Sequence, residues 1–459
     1  LLALALLVFF GCRKDRISTD SSAKINFSID TLTFDTVFTT IGSTTKSFKV
    51  YNPNKEIIEI SSISLGKGNG SFFKLNINGV SSTRVKDVEL YPGDSLFVFV
   101  QVNINPNNSN NPMVVQDSII FSYNGNNVDI DLIAYGQDVL LIDGQYVYDT
   151  IWTNEKPVLV YNSMAVDSFC TLTIEAGTKV HFHKNSYLYV FPTGSLKVFG
   201  TLEEPVIFEG DRLEDIYENV PGQWGGIHLT ANSTDNIIDY AEVRNAVIGI
   251  RVDSFNIASS NPTLTISNTI IKNMNYAGLL GAGSVVSATN MLIHNCGYYA
   301  VALLYGGSYE FYHCTIGNYW ANGNRITPSV ILNNYFISGG TAYVRNLLSA
   351  NFVNCIIHGS EYDELALDAF PGAGDFNYLF DHCLLKYSGD VSGIGFSEII
   401  LNQMPKFIDT SDENYELDTL SPAINAGIIS LPANALNDFL GISRTSYGAP
   451  DLGAFERIE

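Results

Sequence analysis

The sequence predicts an all-β protein in two parts: an antiparallel β-sandwich, then a solenoid of stacked β-coils ending in a C-terminal capping segment. The strongest sign is a hexapeptide echo in the second half. Tyr240-Ala241-Glu242-Val243-Arg244-Asn245 returns in kind from Asn268, Asn290, His313, Asn354 and His382. A period of about twenty residues or more, written in strand-like alternation, marks coils that stack on one another. The second sign is a set of short alternating runs before residue 138, such as Ser95-Leu96-Phe97-Val98-Phe99-Val100, divided by turn residues. The third is composition, since 12% aromatic residues with only 16% charged ones suit a β-rich chain.

A chain of 459 residues exceeds one ordinary core. Its 25 basic residues stand against 47 acidic ones, a formal net charge of −22. Nucleic acid and a bare anionic membrane surface are thereby disfavoured, because both are bound through basic residues. A polyanionic glycan is disfavoured for the same reason.

Residues 1–12 form an apolar run ending Phe9-Phe10-Gly11-Cys12. The run is too short to span a bilayer, which takes about 20 residues, and reads as the apolar part of a secretion signal. Its end resembles a bacterial lipobox, with Phe9 where Leu is usual. The resemblance implies a lipid on Cys12 and hence a membrane partner reached through that anchor. Residues 13–22 are polar, as a linker to such an anchor would be. Arg13-Lys14-Asp15 resembles the start of lipoproteins of the Bacteroidetes group, which implies the outer membrane and its cell-surface face.

Residues 23–137 carry the alternating runs, among them Lys46-Ser47-Phe48-Lys49-Val50-Tyr51 and Ser118-Ile119-Ile120-Phe121-Ser122-Tyr123. Turns fall at Asn52-Pro53-Asn54, Pro92-Gly93-Asp94, 105–112 and Asn124-Gly125-Asn126, a spacing that suggests a sandwich. Phe72-Phe73-Lys74-Leu75, Leu90-Tyr91-Pro92-Gly93-Asp94-Ser95 and Leu132-Ile133-Ala134-Tyr135-Gly136 resemble the immunoglobulin-like modules of the abnormal-spindle and hydin type. No Cys lies in this stretch, so an inter-sheet disulfide is absent.

Residues 138–420 hold the solenoid. Two inward columns run through the echo: Ala241, Thr269, Met291, Cys314, Cys355, Cys383, and then Val243, Ile271, Ile293, Ile316, Ile357, Leu385. Side chains two apart on a strand share a face, so the three cysteines read as buried small hydrophobes, with disulfides between some of them the alternative. Asn245, Asn273, Asn295 and Asn318 align at the strand end as a turn ladder. The gap from 313 to 354 fits two short coils or one coil with a large insertion. Gly194-Ser195-Leu196-Lys197-Val198-Phe199-Gly200-Thr201-Leu202 and Gly222-Gln223-Trp224-Gly225-Gly226-Ile227 resemble opening coils of right-handed parallel β-helix proteins of the pectin-lyase-like superfamily.

Residues 421–459 resemble a terminal segment of such proteins, in Ser421-Pro422-Ala423-Ile424-Asn425-Ala426-Gly427, Asp438, Gly441, Arg444 and Pro450-Asp451-Leu452-Gly453-Ala454-Phe455-Glu456. Asn425 stands where that segment usually has Asp. A solenoid must close its last open coil, so a cap is expected there.

No catalytic set stands out. Asp239, Glu242 and Asp253 fall at different positions of the coil, unlike a glycosidase carboxylate pair. Arg244, Lys272, His294, His358 and Lys386 occupy one outward column, a stripe with the base and cation types that a polysaccharide lyase uses. A solvated strand face is the plainer expectation for them. Tyr276, Tyr298, Tyr299, Tyr319 and Trp320 follow the Asn turns of successive coils. Coils about 4.8 Å apart would line these rings into a rail on which sugars stack. His181 and His183 share an outward face without a third metal ligand in view. The acidic stretches 211–218 and 409–416 could hold Ca²⁺ but lack the regular ligand spacing of a known loop, and no other cofactor is expected. These readings favour a non-enzymatic envelope protein that binds glycan or an outer-membrane partner protein. The alternative, by superfamily resemblance, is a polysaccharide lyase or glycoside hydrolase.

Overall fold

Alternation builds the N-terminal unit. In Ser95–Val102 the side chains of Leu96, Val98, Val100 and Val102 are buried, while Phe97, Phe99 and Gln101 face out. The computed structural model describes residues 16–107, 113–254, 262–429, 432–446 and 448–458, so the apolar leader and Cys12 lie outside the described residues. The chain divides into two units between Val139 and Leu140. Among the described residues, no helix is long and apolar enough to cross a membrane.

The first unit is a sandwich of two five-stranded sheets. One sheet runs in the order Asn26–Phe27, Lys46–Tyr51, Ser95–Val102, Phe73–Ile77, Val80–Ser82, all antiparallel. The other runs Thr31–Phe38, Asn126–Gln137, Met113–Tyr123, Ile58–Leu65, Arg84–Leu90, with its first pair parallel. Phe34, Phe73 and Phe121 fill the space between the sheets. Asn124-Gly125 and Asn78-Gly79 turn two hairpins with positive φ at both residues, the geometry a tight hairpin favours. Part of the expected linker is not free. Ile17 bridges Ile57, and the Ser18 N–H donates to the Ile57 carbonyl at 2.8 Å. A strand edge offers unpaired groups to whatever chain is tethered beside it.

The second unit winds parallel strands into three long sheets, the first two of which join through Val158–Val166. The first sheet takes the echo strands, such as Ala241–Arg244, Ile270–Met274, Leu292–Cys296, Thr315–Asn318 and Ile356–Gly359. The second takes the strand that follows in each coil, from Tyr187–Val190 to Leu365–Asp368, and the third takes Leu264–Ser267 and its equivalents. Both predicted inward columns are buried, from Ala241 at 2% exposure to the fully enclosed Cys314, Cys355 and Cys383. All described cysteines are free thiols, so the packing reading holds and the disulfide alternative falls. Phe311, Phe352, Phe380 and Phe396 stack inside the third sheet at 4.6, 4.9 and 5.4 Å between successive rings.

The corner between the third and first sheets is a single left-handed residue: Tyr240, Asn268, Asn290, His313, Asn354 or His382, with φ between 46° and 56°. Asn is frequent there because it tolerates that conformation and bonds its neighbours. Asn290 Nδ2, for instance, donates to Asn268 Oδ1 at 3.0 Å. The expected ladder at the other end of the strand is shorter than predicted. Asn245, Asn273 and Asn295 take positive φ, and Asn295 donates to Asn273. Asn318 does not share that φ; it brackets Cys296 instead, accepting from its N–H at 2.8 Å and donating to its carbonyl at 3.0 Å.

The gap from 313 to 354 is one coil. Its strands are Thr315–Asn318, Val330–Asn333 and Leu347–Val353, with a loop at 319–329 and the hairpin Tyr335–Ser338, Thr341–Val344 inserted. Arg325 pins the loop from inside: its guanidinium meets the Glu364 carboxylate at 2.8 and 2.7 Å, and both side chains are almost fully buried.

The expected C-terminal capping segment packs against the β-helix. It lies along the flank of the first sheet, where Leu417, Ala423 and Leu452 pack on Ile356 and Leu384, and Tyr415, Ala454 and Phe455 pack on Leu292. Arg444, wholly buried, donates to Glu456 at 2.8 Å and to Asn290 at 2.8 Å. Asp438 and Asp451 tie the same segment together through backbone N–H groups of Ile442, Glu456, Asn425 and Arg457. Burial lifts the Glu456 carboxyl to about 7 and raises Asp438 and Asp451 as well. The physical reason for this placement is an apolar column on the outside of the first sheet, Ile270, Leu292, Ile356 and Leu384, which needs a cover.

Candidate functional site

The predicted polar stripe exists as a column but not as a surface. Strand register places Arg244 beside Lys272 and Lys272 beside His294, and Gly317 lies between His294 and His358. The flanking segment covers it. Lys272 Nζ is held by Glu242 at 3.2 Å and Glu413 at 2.7 Å, and Arg244 pairs with Glu209 and Glu242. Tyr415 lies over His294 at 4.8 Å between ring centres. Burial, with Lys272 nearby, pushes His294 down to about 3; burial, with Lys386 nearby, pushes His358 down to about 4. His358 Nδ1 meets the Tyr319 hydroxyl at 2.8 Å, and Lys386 donates to the Gly359 carbonyl at 2.8 Å. His294 and His358 are thus buried at 2% exposure and Lys272 is ion-paired beneath the segment, whereas Arg244 lines a pocket with Glu209, Arg212 and Glu218.

The aromatic rail divides. Tyr276, Tyr298 and Tyr299 cluster, with Tyr276 and Tyr298 at 5.3 Å and Tyr298 46% exposed. Trp320 rests on Gly297, where a Cβ would come within 3.1 Å of its ring. Tyr319 turns the other way, among Phe407, Tyr415 and His358, and burial raises its hydroxyl pKa strongly. It belongs to the covered flank.

His181 and His183 do share an outward face, yet neither is simply solvent-facing. His181 is 3% exposed, with Glu209 3.3 Å from Nδ1. His183 stacks on Tyr161 at 4.0 Å and pairs with Asp211 at 2.7 Å. Among the described residues, no group of three or more His, Cys, Asp or Glu is arranged to hold a metal. In the second acidic stretch, Asp409 caps the N–H groups of Ser411 and Asp412, and Glu413 serves Lys272.

An arrangement that repeat reading missed lies on the outer face of the second sheet. Register sets Tyr189 beside His228 and His228 beside Arg251. Tyr187 and Tyr189 stack at 5.3 Å. Gly225 forms the floor under Tyr187: a Cβ there would fall 2.3 Å from the ring. Next to these rings, Asp253 takes His228 Nε2 at 2.9 Å on one oxygen and Arg251 Nε at 3.0 Å on the other. Burial opposes ionisation of Asp253, but these hydrogen bonds win and hold its carboxyl below the usual range. Burial raises the Tyr189 hydroxyl. A shallow pocket of about 280 Å³ opens between the tyrosines, His228, Ile248 and Arg251. The signal for it is period two, in Tyr187-Leu188-Tyr189, Ile227-His228-Leu229 and Arg251-Val252-Asp253, on strands that do not share the echo.

Chemically, the group offers a flat apolar platform next to a charge-balanced Arg–Asp–His set. Platforms of this kind stack sugar rings, and fixed donors and acceptors orient hydroxyls. A family model described as a pectate-lyase like beta helix domain matches residues 144–259, and one described as a right handed beta helix region matches 210–379. Residues 144–379 are thus similar to right-handed β-helix domains, as the parallel coils require. No curated protein matches the chain. Among solved structures, a family 123 glycoside hydrolase from Clostridium perfringens is similar over 26% of this β-helix protein and 26% of that chain, with 8% identity and a TM-score of 0.19. The Vibrio cholerae VesB protease is similar over 26% and 33%, with 13% identity and a TM-score of 0.17. A PapD-like domain of human CEP192 is similar over 30% and 96%, with 9% identity and a TM-score of 0.18. The β-helix protein thus spans about a quarter of that hydrolase and a third of that protease. These likenesses are too slight to bear on activity.

Proposed function

We propose that this β-helix protein is a non-enzymatic carbohydrate-binding module of the cell envelope, with a saccharide lying on the outer face of its second sheet. The observation that carries the reading is the open Tyr187–Tyr189 platform beside the Arg251–Asp253–His228 set. The β-helix family descriptions support a carbohydrate-related role. Hydrolysis of a glycosidic bond needs two carboxylates flanking it. Among the described residues, Asp253 is the carboxylate of this set, already engaged by two partners. In this reading a lipid on Cys12 tethers the protein to the outer membrane, at its cell-surface face, where it serves glycan capture or an outer-membrane partner complex.

A second reading rests on the same His228–Asp253 pair, which has the form of a general base with its orienting carboxylate, and on Arg251 as the cation of a lyase. A glycan array and a depolymerisation screen on the chain from residue 13 onward separate the two. Binding without cleavage, weakened about tenfold by Tyr189→Ala, is the expected result. Unsaturated or shortened products that vanish in His228→Ala would replace the binding reading with the enzymatic one. Incorporation of labelled palmitate in cells, lost in Cys12→Ala, tests the anchor.

A further inference from the structure

One face of the sandwich breaks the charge pattern of the chain. Lys46–Tyr51, Ser95–Val102 and Phe73–Ile77 lie side by side, and register pairs Lys49 with Phe97, Ser47 with Phe99, Phe99 with Asn76, and Gln101 with Lys74. These side chains all point out, in cross-strand rows. Among the described residues, the outward positions of these three strands carry Lys49 and Lys74 and no carboxylate, although the net charge is −22. Phe97 and Phe99 are 44% and 40% exposed and stack at 5.9 Å with planes 18° apart. Lys49 Nζ sits 4.7 Å from the centre of the Phe97 ring. Beside Phe99 the surface sinks into a pocket of about 480 Å³, lined by Thr45, Lys74, Asn76, Ser81 and Gln101.

We propose that this face is a second saccharide site, one that takes a short sugar bearing an acidic group. A pyranose has an apolar face to set on Phe99, and hydroxyls that Asn76, Gln101 and Ser81 meet as donors and acceptors. Lys74, on the pocket wall, supplies the positive charge for a carboxylate or sulfate. The pocket is of the size that small ligands fill, about 300–1,000 Å³, and its concavity suits a few sugar rings rather than a flat membrane. The chain's overall negative charge repels a long polyanion, which restricts the ligand to a short one. The site does not depend on the second-sheet platform.

The test titrates the full chain with a galacturonate trimer, with cellotriose and with phosphatidylglycerol vesicles, at low and high salt. Expected is galacturonate binding that weakens about tenfold in Phe99→Ala and weakens in Lys74→Gln at low salt only. Repeating the titration of each variant in a Tyr189→Ala background, which removes the platform of the second sheet, separates failure here from failure of the helix site. Thermal midpoints confirm folding; Phe99→Leu, which keeps apolar area without the flat ring, is the second variant if Phe99→Ala does not fold. The proposal is overturned if galacturonate does not bind, if Phe99→Ala leaves its affinity unchanged, or if cellotriose binds equally well. Vesicle binding lost in Phe99→Ala without saccharide binding would make the face a membrane contact instead.

Discussion

Lys272 Nζ lies 2.7 Å from a carboxylate oxygen of Glu413, which stands 141 residues later in the chain. This pair joins the outside of a middle coil to the segment that covers it. Beside it, Tyr415 lies over Gly317 so closely that a Cβ there would come within 2.4 Å of the ring. The covering segment therefore fits a slot set by a missing side chain.

Gly317→Ala should destabilise the protein by about 1–3 kcal/mol, since the methyl meets an immobile ring. Tyr415→Ala, which empties a buried site, should cost about 3 kcal/mol or more. In the double variant the cost of Gly317→Ala should largely disappear, because contacting residues couple. A double-mutant cycle in urea checks this; simple additivity would show that Tyr415 does not occupy the slot.

Acid should loosen the covered flank. His294 and His358 titrate at about 3 and about 4 in the folded chain, below the ordinary 6.5, because burial disfavours their charge. The unfolded chain takes up those protons first, so this contribution is complete above pH 6.5 and is lost as pH falls towards 4. The slope is at most about 1.4 kcal/mol per pH unit for each histidine. Glu456, lifted to about 7 by burial, acts in the opposite direction: its contribution is present below about 4.5 and is lost as pH rises through 7. Comparison with His294→Gln isolates the histidine. The stability gap between wild type and variant should shrink steadily from pH 6.5 to 4, and a constant gap would refute the assignment.

Glu364 holds the 319–329 insertion. Besides Arg325 it accepts the N–H of Ser329 at 2.9 Å and that of Glu361 at 2.7 Å. Glu364→Ala should destabilise by about 3–5 kcal/mol, because it leaves the Arg325 charge buried and unpaired. Limited proteolysis should then cut within 319–329, a site the wild type protects.

The stacked thiols should be inert. Burial pushes Cys296 up to about 12 and raises Cys314 and Cys355 well above the ordinary thiol range. In the chain from residue 13 onward, Cys170 alone is only partly buried, so an aromatic disulfide reagent should modify one thiol natively and five after unfolding. Native labelling of Cys314 would contradict the packing.

Much of the solenoid was legible because its coils repeat the same local problem. Val243, Ile271 and Ile293 face inward by period two alone, and Cys314, Cys355 and Cys383 follow from sharing a column. The covered flank carries a signal that the expectation of a solvated face passed over: Ile270-Ile271, Leu292-Ile293, Ile356-Ile357 and Leu384-Leu385 are apolar at adjacent positions, as a strand buried on both faces requires. What covers that face was not legible, since 407–456 lacks periodicity and its partners lie far away in sequence. His294 and His358 were thus assigned outward correctly and exposed wrongly. The Tyr189–His228–Arg251 row escaped because each member sits alone in its strand and only the register between coils unites them.

The flank cover also bears on the order in which the molecule assembles. Coils can form in sequence, each on the one before, since every coil needs only its neighbour. Leu292, Ile356 and Leu384 remain wet throughout that growth and are enclosed only when Tyr415, Leu417, Leu452 and Phe455 arrive. The contacts of Leu292 with Tyr415 and Phe455, which span well over a hundred residues, close late, because the loop entropy comes first. A solenoid still lacking residues 407–456 would be fully wound yet adhesive along one side, so the interval before they dock is when this chain is most exposed to aggregation or to capture by a chaperone.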